Sequence, residues 1–427
     1  MKTNTIITVP KSPPDPLSVR DLPCQEEKVV LIYGGLGALL QRFLAEGFKE
    51  VKHLFPHVSF VVVDIANPER HQKHIATQMG KVAIPWNKKF PYIAVHKIQE
   101  PHNNTLSING GGLPIHGVIT AVPTAEHFNI TKTWAPHGVF VWIEKPIVMM
   151  EQVEELRSFS SEHPFLFPSD FMLDSDAMIW FLEHQEELLK RIGKVTAIHT
   201  RLIESWPIDR ELSQRVWLLT PKISGGGLGF DLSVHQFTML SPILEKLGWS
   251  LKDITIKNVV MGKSNPSYIV ETAFWCEASV GTIPIFCESG KGLEDTYYGI
   301  MILGDRGSIE ICVGTEEVDP YLRITEPTGT TIYRFEKGQL GYGKTWLYYL
   351  TLLYGGEPKN LSLQQRLNAC LGAVEVMEKA YDLHARQDKK MIFYDVGHPL
   401  PVPQRVFGSI APEIPRNKVR TWAQEPT

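Results

Sequence analysis

Several stretches of the chain are short, unbroken apolar runs with no alternation. Residues 29–33 (Val-Val-Leu-Ile-Tyr), 59–63 (Ser-Phe-Val-Val-Val), 117–122 and 139–143 have this form, as expected of parallel strands buried on both faces. Helical spacing fills the gaps, over 38–48 after glycines 34, 35 and 37, and over 124–137. A helix at about 149–162 and a strand at about 165–171 complete the unit. Strands alternating with helices predict an α/β fold with a doubly wound parallel sheet. Further on, residues 195–204, 254–261, 268–279, 282–289, 297–303, 308–313, 321–325 and 330–335 read as strands with few helices between them, a sheet-dominated α+β domain. A helix at 363–385 closes its core through Leu363, Leu367, Leu371, Val374 and Met377. The division predicted is an irregular arm at 1–26, a parallel α/β unit at 27–171, an α+β domain at 172–395 and a Pro-rich tail at 396–427.

Length and composition narrow the function classes. A chain of 427 residues exceeds what one core holds. A net charge of −4 supplies no electrostatic reason for a nucleic acid or an anionic membrane as partner. No apolar run reaches the roughly 18 residues of a membrane span, and the N-terminus lacks the apolar core of a secretion signal. The five cysteines are scattered without a C-x-x-C, and the 15 histidines form no H-E-x-x-H. The expectation is a cytoplasmic protein without a disulfide framework or a bound metal.

The first chemical signal is the turn Gly34-Gly35-Leu36-Gly37-Ala38-Leu39-Leu40, between a buried strand and a helix. Such a turn aims backbone N–H groups at a pyrophosphate. Read from Gly35 it carries two of the three glycines of G-x-G-x-x-G, and Gly35, Leu36, Gly37, Ala38 and Leu39 are the expected contacts. A structural turn fits the same residues. Asp64, ending the second strand, suits an adenosine ribose and repels a 2′-phosphate, which favours NAD over NADP; its rival role is a cap on the following turn.

The second signal is Glu144-Lys145-Pro146, at a strand end where ligands of such sheets bind. Lys145 is placed either to hold a substrate oxygen and join proton transfer or simply to be solvated. The third is the glycine-rich stretch 225–229 leading into a helix with Asp231 and His235 four residues apart, hence on one face. They read as a general acid/base pair on an open, flexible binding face, or as a pair satisfying itself.

These motifs together resemble the glucose–fructose oxidoreductase / inositol dehydrogenase / rhizopine-catabolism (Gfo/Idh/MocA) family. The resemblance rests on Gly34 to Gly37, the stretch Val122-Pro123-Thr124-Ala125-Glu126-His127, Glu144-Lys145-Pro146, and the glycine-rich helix ending at His235. It implies an oxidoreductase moving hydride between NAD and a secondary hydroxyl or ketone of a sugar, cyclitol or other polyol. Lys145, Asp231 and His235 would be catalytic, and Val122, Pro123, His127, Glu144 and Lys145 would line the cofactor. It further implies a C-terminal domain built on a large open mixed sheet that makes a homodimer or homotetramer. Arg201, Glu204, Trp206 and Arg215 lie in segments that could meet a polyol. Leu40 departs from the pattern at the third glycine, and 171–176 lacks an Arg the family often has there. An NAD-dependent glycosidase on the same scaffold and a non-catalytic NAD(H)-binding regulator are the alternatives; glucose-6-phosphate dehydrogenase and biliverdin reductase fit the glycine-rich helix less well.

Overall fold

The structure is a computed structural model. It describes residues 3–9, 26–35, 37, 39, 44–65, 84–89, 92–95, 98, 101–108, 111–205, 208, 216–315, 318–336, 341–357 and 361–400. Leu36, Ala38, Trp206 and Arg215 lie outside these residues, as do 10–25 and 401–427, most of the two expected arms.

One strand, β1 (Thr3–Val9), precedes the first sheet. The apolar runs then form that sheet from β2 (Lys28–Tyr33), β3 (Val58–Asp64), β4 (Tyr92–Ala94), β7 (Gly117–Thr120), β8 (Phe140–Ile143) and β9 (Leu166–Pro168). All its pairings are parallel, in the order β4-β3-β2-β7-β8-β9. A hairpin, β5 (Thr105–Ile108) and β6 (Gly111–Pro114), precedes β7. Helices α1 (Ala45–Val51), α2 (Thr124–Trp134) and α3 (Val153–Glu162) connect the strands. Because β2 connects to β3 on one side and pairs with β7 on the other, the strand order reverses between β2 and β7. That reversal opens a crevice at the strands' carboxyl ends.

After β9 a turn leads into α4 (Asp176–Ile192), where Ser175 accepts the Met178 N–H as N-cap. The second sheet has ten strands: β1, β10 (Val195–Glu204), β11 (Thr255–Lys263), β12 (Ala273–Val280), β13 (Ile283–Lys291), β14 (Tyr297–Gly304), β15 (Ser308–Cys312), β16 (Tyr321–Glu326), β17 (Gly329–Phe335) and β18 (Ile392–Phe393). Its order is β1-β17-β16-β15-β14-β10-β13-β12-β11-β18, mixed parallel and antiparallel. Helix α5 (Leu228–Lys246) lies on β13 and is buried along nearly its whole length.

Three features depart from expectation. Part of the arm expected to be irregular is β1, which pairs in parallel with β17 at the edge of the large sheet. Residues 176–192 form α4, in a stretch to which the sequence reading assigns no element. Helix α6 (Tyr342–Leu353) returns to cover the first sheet before α7 (Leu363–Arg386). Trp346 of α6 donates to the Leu44 carbonyl at 2.7 Å, and Tyr349 Oη reaches the carbonyls of Val118 and Phe140 at 3.1 and 3.0 Å. Trp142, Trp346, Phe48 and Phe60 meet edge to face beneath it. Residues of both sheets thus belong to one hydrophobic core. No helix among the described residues is long and apolar enough to cross a membrane.

Candidate active site

The crevice between β2 and β7 begins at Gly34. This glycine takes φ +73°, donates to the Val63 carbonyl at 2.8 Å, and would place a Cβ 2.2 Å from the Ala121 carbonyl oxygen. The tight position of the turn is therefore Gly34, one residue before the register read from Gly35. Gly35 approaches Val62 instead, and the Gly37 N–H returns to the Gly34 carbonyl at 2.8 Å. Leu39 packs against the main core. Asp64 directly follows Val63, the residue that Gly34 bonds, so a carboxylate stands beside the turn. A glycine turn packed this closely at a strand end, next to an acidic residue, is the arrangement that a dinucleotide's pyrophosphate and ribose require.

Two strands across, Glu144-Lys145-Pro146 leaves β8. The Thr120 hydroxyl accepts the Glu144 N–H at 3.1 Å and donates to the Trp142 carbonyl at 3.3 Å. Burial pushes the Glu144 carboxyl up to about 7, against the Trp142 indole N–H donated to Oε1 at 2.8 Å and the nearby Lys145 charge. The Lys145–Pro146 peptide bond is cis. His127 sits below it, 1% exposed, with Nδ1 2.9 Å from the Pro146 carbonyl and Nε2 2.9 Å from the Val122 carbonyl. Burial pushes this imidazole down to about 4, so the neutral ring has one N–H and donates to only one of the two. Pro123 is the N-cap residue of α2. In the protein, then, Val122, Pro123 and His127 tie the end of β7 to the Pro146 turn, with both ring nitrogens of His127 turned to backbone.

The glycines before α5 are neither flexible nor open. Glu271, itself buried, accepts the Gly227 and Phe230 N–H groups on Oε1 at 2.9 Å each, and the Tyr381 hydroxyl at 2.5 Å. It caps the helix from outside, satisfying orphan donors of the first turn. A Cβ on Gly227 would lie 2.1 Å from the Glu271 carbonyl oxygen, and Cβ atoms on Gly226 and Gly229 would strike Phe230, Tyr381, Glu271 and Phe274. Small residues are needed there for close approach. Burial raises the Glu271 carboxyl.

This fixed helix presents Asp231 and His235 to the strand ends. Lys145 Nζ donates to Asp231 Oδ1 at 2.8 Å and to the Asp231 carbonyl at 2.9 Å. His235 lies one turn further on, 2% exposed, its Nδ1 2.7 Å from Asp170 Oδ1. Burial pushes its imidazole down and Lys145 adds to this, while Asp170 and Asp231 hold it up. The Phe171 ring meets it edge-on at 5.0 Å. Lys145, Asp231 and His235 thus form one cluster, and each of the two helix residues has its own partner.

Asp170 is the residue that pattern reading overlooked. The signal was available: it lies two residues past β9, near a strand end like Asp64, the last residue of β3, and Glu144, the first after β8. Arg201 goes the other way. It pairs with Glu288 and Glu294 at 2.9 and 2.8 Å. Its neighbour Leu202 pairs with Ser289, whose hydroxyl meets Ser233 of α5 at 2.6 Å. Alternation along the strand therefore puts Arg201 on the face away from α5. Glu204 is engaged by Lys291 at 2.6 Å and by the Tyr298 hydroxyl. Among the described residues no group of three or more His, Cys, Asp or Glu could hold a metal ion.

Comparison with known proteins bears on this geometry. The family described as "Oxidoreductase family, C-terminal alpha/beta domain", of the Gfo/Idh/MocA group, matches residues 186–338. The match begins inside α4 and ends just past β17, so it includes α5 with Asp231 and His235. Most of the chain shares its fold with solved oxidoreductases. A levoglucosan dehydrogenase in complex with NADH and levoglucosan aligns with TM-score 0.62 at 16% identity, covering 84% of this chain and 98% of its own. A 3-ketoreductase from Actinomadura kijaniata, in complex with NADP, aligns with TM-score 0.60 at 12% identity over 86% and 100%. An aldose-aldose oxidoreductase from Caulobacter crescentus aligns with TM-score 0.62 at 17% identity over 85% and 99%. No curated protein matches the sequence.

Proposed function

We propose that this chain is an NAD-dependent dehydrogenase or reductase acting on a secondary hydroxyl or ketone of a sugar, cyclitol or related polyol. The observation that carries the reading is the Lys145–Asp231 contact. It joins the strand-end crevice, where a dinucleotide fits, to the helix that holds a buried imidazole one turn away. Gly34, Gly35 and Gly37 with Asp64 would hold the cofactor, Gly34 shaping the turn; NAD, when bound, supplies the hydride acceptor. The solved enzymes of this fold that were crystallised with NADH or NADP support the choice, and Asp64 favours NAD.

The chain's own groups divide the remaining work. An ammonium has three donors, and Asp231 takes two from Lys145, leaving one for a substrate oxygen. Asp231 orients that ammonium and is placed to meet a neighbouring hydroxyl. His235 takes the proton from the reacting hydroxyl, or returns it to a ketone; a positioned acid/base of this kind is worth roughly 10² to 10⁴ in rate. Residues 27–171 would hold the dinucleotide and 172–395 the substrate. Self-association through the large sheet belongs to the same reading and is tested by light scattering on the purified chain.

Mass spectrometry of the purified protein for retained dinucleotide, then a screen of sugars and cyclitols for NADH formation, tests the activity. Lys145→Ala and His235→Ala should each lower kcat by orders of magnitude while the circular dichroism spectrum is unchanged. Full activity in both variants would remove the site assignment.

A further inference from the structure

The geometry points to Asp170 as the positioning residue that gives His235 its catalytic tautomer and proton affinity. The inference rests on the reading of His235 as the acid/base and adds a residue to it. Three observations carry it. The Asp170 Oδ1 to His235 Nδ1 distance of 2.7 Å is that of a strong, charge-assisted hydrogen bond. With Nδ1 donating, Nε2 carries the lone pair and is the atom that accepts the substrate proton.

Asp170 is also expensive to keep. It is fully buried, and its other oxygen, Oδ2, has no hydrogen-bond partner among the described residues. A half-satisfied buried carboxylate costs free energy that a merely structural position would shed by carrying Asn or Ser.

The turn that bears it is held from two distant helices. Arg366 of α7 and Thr345 of α6 both donate to Asp174, Thr345 at 2.7 Å. Phe171 stacks on Tyr342 at 4.4 Å, and Gly341, at φ +88°, would place a Cβ 2.1 Å from the Phe171 carbonyl oxygen. The Met172 N–H donates to the same Oδ1 at 3.1 Å. A carboxylate locked in this way meets the imidazole without reorganising, as an orienting partner must.

The charges around His235 are few. Asp170 and Asp231 favour the imidazolium and Lys145 opposes it. Glu144 lies near Asp170. Cys370 of α7 senses Asp170 but is held as a neutral thiol by burial. Removing the Asp170 charge therefore lowers the imidazole's proton affinity.

The test is Asp170→Asn in the full chain, with two readouts. The first is the His235 imidazole resonance by NMR, assigned by its absence in His235→Ala. Its protonation midpoint should fall by roughly one to three pH units, and Glu144 cannot mimic that signal. The second is kinetic. In Asp170→Asn kcat should fall roughly 10² to 10⁴-fold with KM nearly unchanged and the acidic limb of the pH profile moved to lower pH. Adding the substitution to His235→Ala should cost nothing more. Should Asp170→Asn be insoluble, Asp170→Ser makes the same measurements. An unmoved imidazole midpoint, or a further loss in the His235→Ala background, overturns the role of Asp170. An active His235→Ala with a shifted midpoint instead overturns the acid/base reading and leaves the Asp170–His235 coupling standing.

Discussion

Glu144 offers a measurement that needs no substrate. Its carboxyl is 4% exposed, and burial raises it from 4.5 to about 7 despite the Trp142 hydrogen bond and the Lys145 charge. A difference of that size corresponds to about 3 kcal/mol between the two protonation states. The sign follows from linkage: the folded chain binds this proton more tightly than the unfolded chain. The folded state is therefore relatively most stable below about 4.5, loses stability as pH rises from there to about 7, and loses no more above it. Glu144→Gln keeps the shape and an oxygen for the Trp142 N–H while removing the titration. The variant and the natural chain should unfold at similar urea midpoints at pH 5. By pH 8 the variant should be the more stable, by about 2 to 3 kcal/mol when converted through the common slope. Other titrating groups are shared by both proteins and cancel in the difference. A midpoint gap that is the same at pH 5 and pH 8 would show that the carboxyl is not desolvated as the structure has it, and the account of the strand-end cluster would need revision.

Three further outcomes follow from single contacts. Gly227→Ala drives a methyl into the Glu271 carbonyl at 2.1 Å and should lower the thermal midpoint by several degrees, in line with an overpacking cost of about 1 to 3 kcal/mol; a midpoint within one degree of the natural chain would refute the close-approach argument. Arg366→Met removes the cation that neutralises buried Asp174 and should cost about 3 to 5 kcal/mol in urea unfolding, most of it recovered by adding Asp174→Asn; equal losses in the single and double variants would contradict the pairing. Asp64→Ser removes the acidic strand end beside the glycine turn, so NADH affinity by fluorescence titration should fall roughly 10- to 100-fold and NADPH affinity should not; a parallel loss of both would place the ribose elsewhere.

What was legible in the sequence follows from where the information is local. Residues 195–204 coincide with β10, and the run 29–33 lies within β2, because strands buried on both faces or pinned by turns show their limits in composition. Helix α6 was not legible. Its residues Tyr-Gly-Lys-Thr-Trp-Leu-Tyr-Tyr-Leu-Thr-Leu-Leu are mostly leucine and aromatic, and nearly all are buried between α1 and the first sheet, so no polar stripe marks a helical period. Helix α4 was legible and overlooked: Ser175 caps it and Gly193 ends it. The run of glycines misleads for a different reason. Read alone, such a run signals freedom, but its cause is the close approach of Glu271, Phe230, Tyr381 and Phe274, most of which come near only in the folded chain. Asp170 escaped notice because its meaning depends on His235, 65 residues further on.

The same long-range contacts argue about motion. Rossmann-type enzymes are often pictured closing two domains on their ligands, and a closure of that kind needs an interface that can part. Here the boundary between the sheets contains the buried Arg366–Asp174 pair, the Thr345–Asp174 bond, the Tyr349 hydroxyl on two strands of the first sheet and a shared aromatic cluster. Separating them would expose a buried ion pair and unsatisfied carbonyls, at a cost of several kcal/mol. The backbone positions of Lys145, Asp231 and His235 are therefore set before any ligand arrives. What is left to adjust is the Lys145 side chain, 15% exposed and held by one residue. On the proposed reading, a substrate oxygen takes the third donor of that ammonium while Asp231 keeps the other two. Replacing Asp231 by Ala should weaken substrate binding and loosen Lys145 without altering the fold, whereas a rate set by domain closure would leave the binding step unaffected.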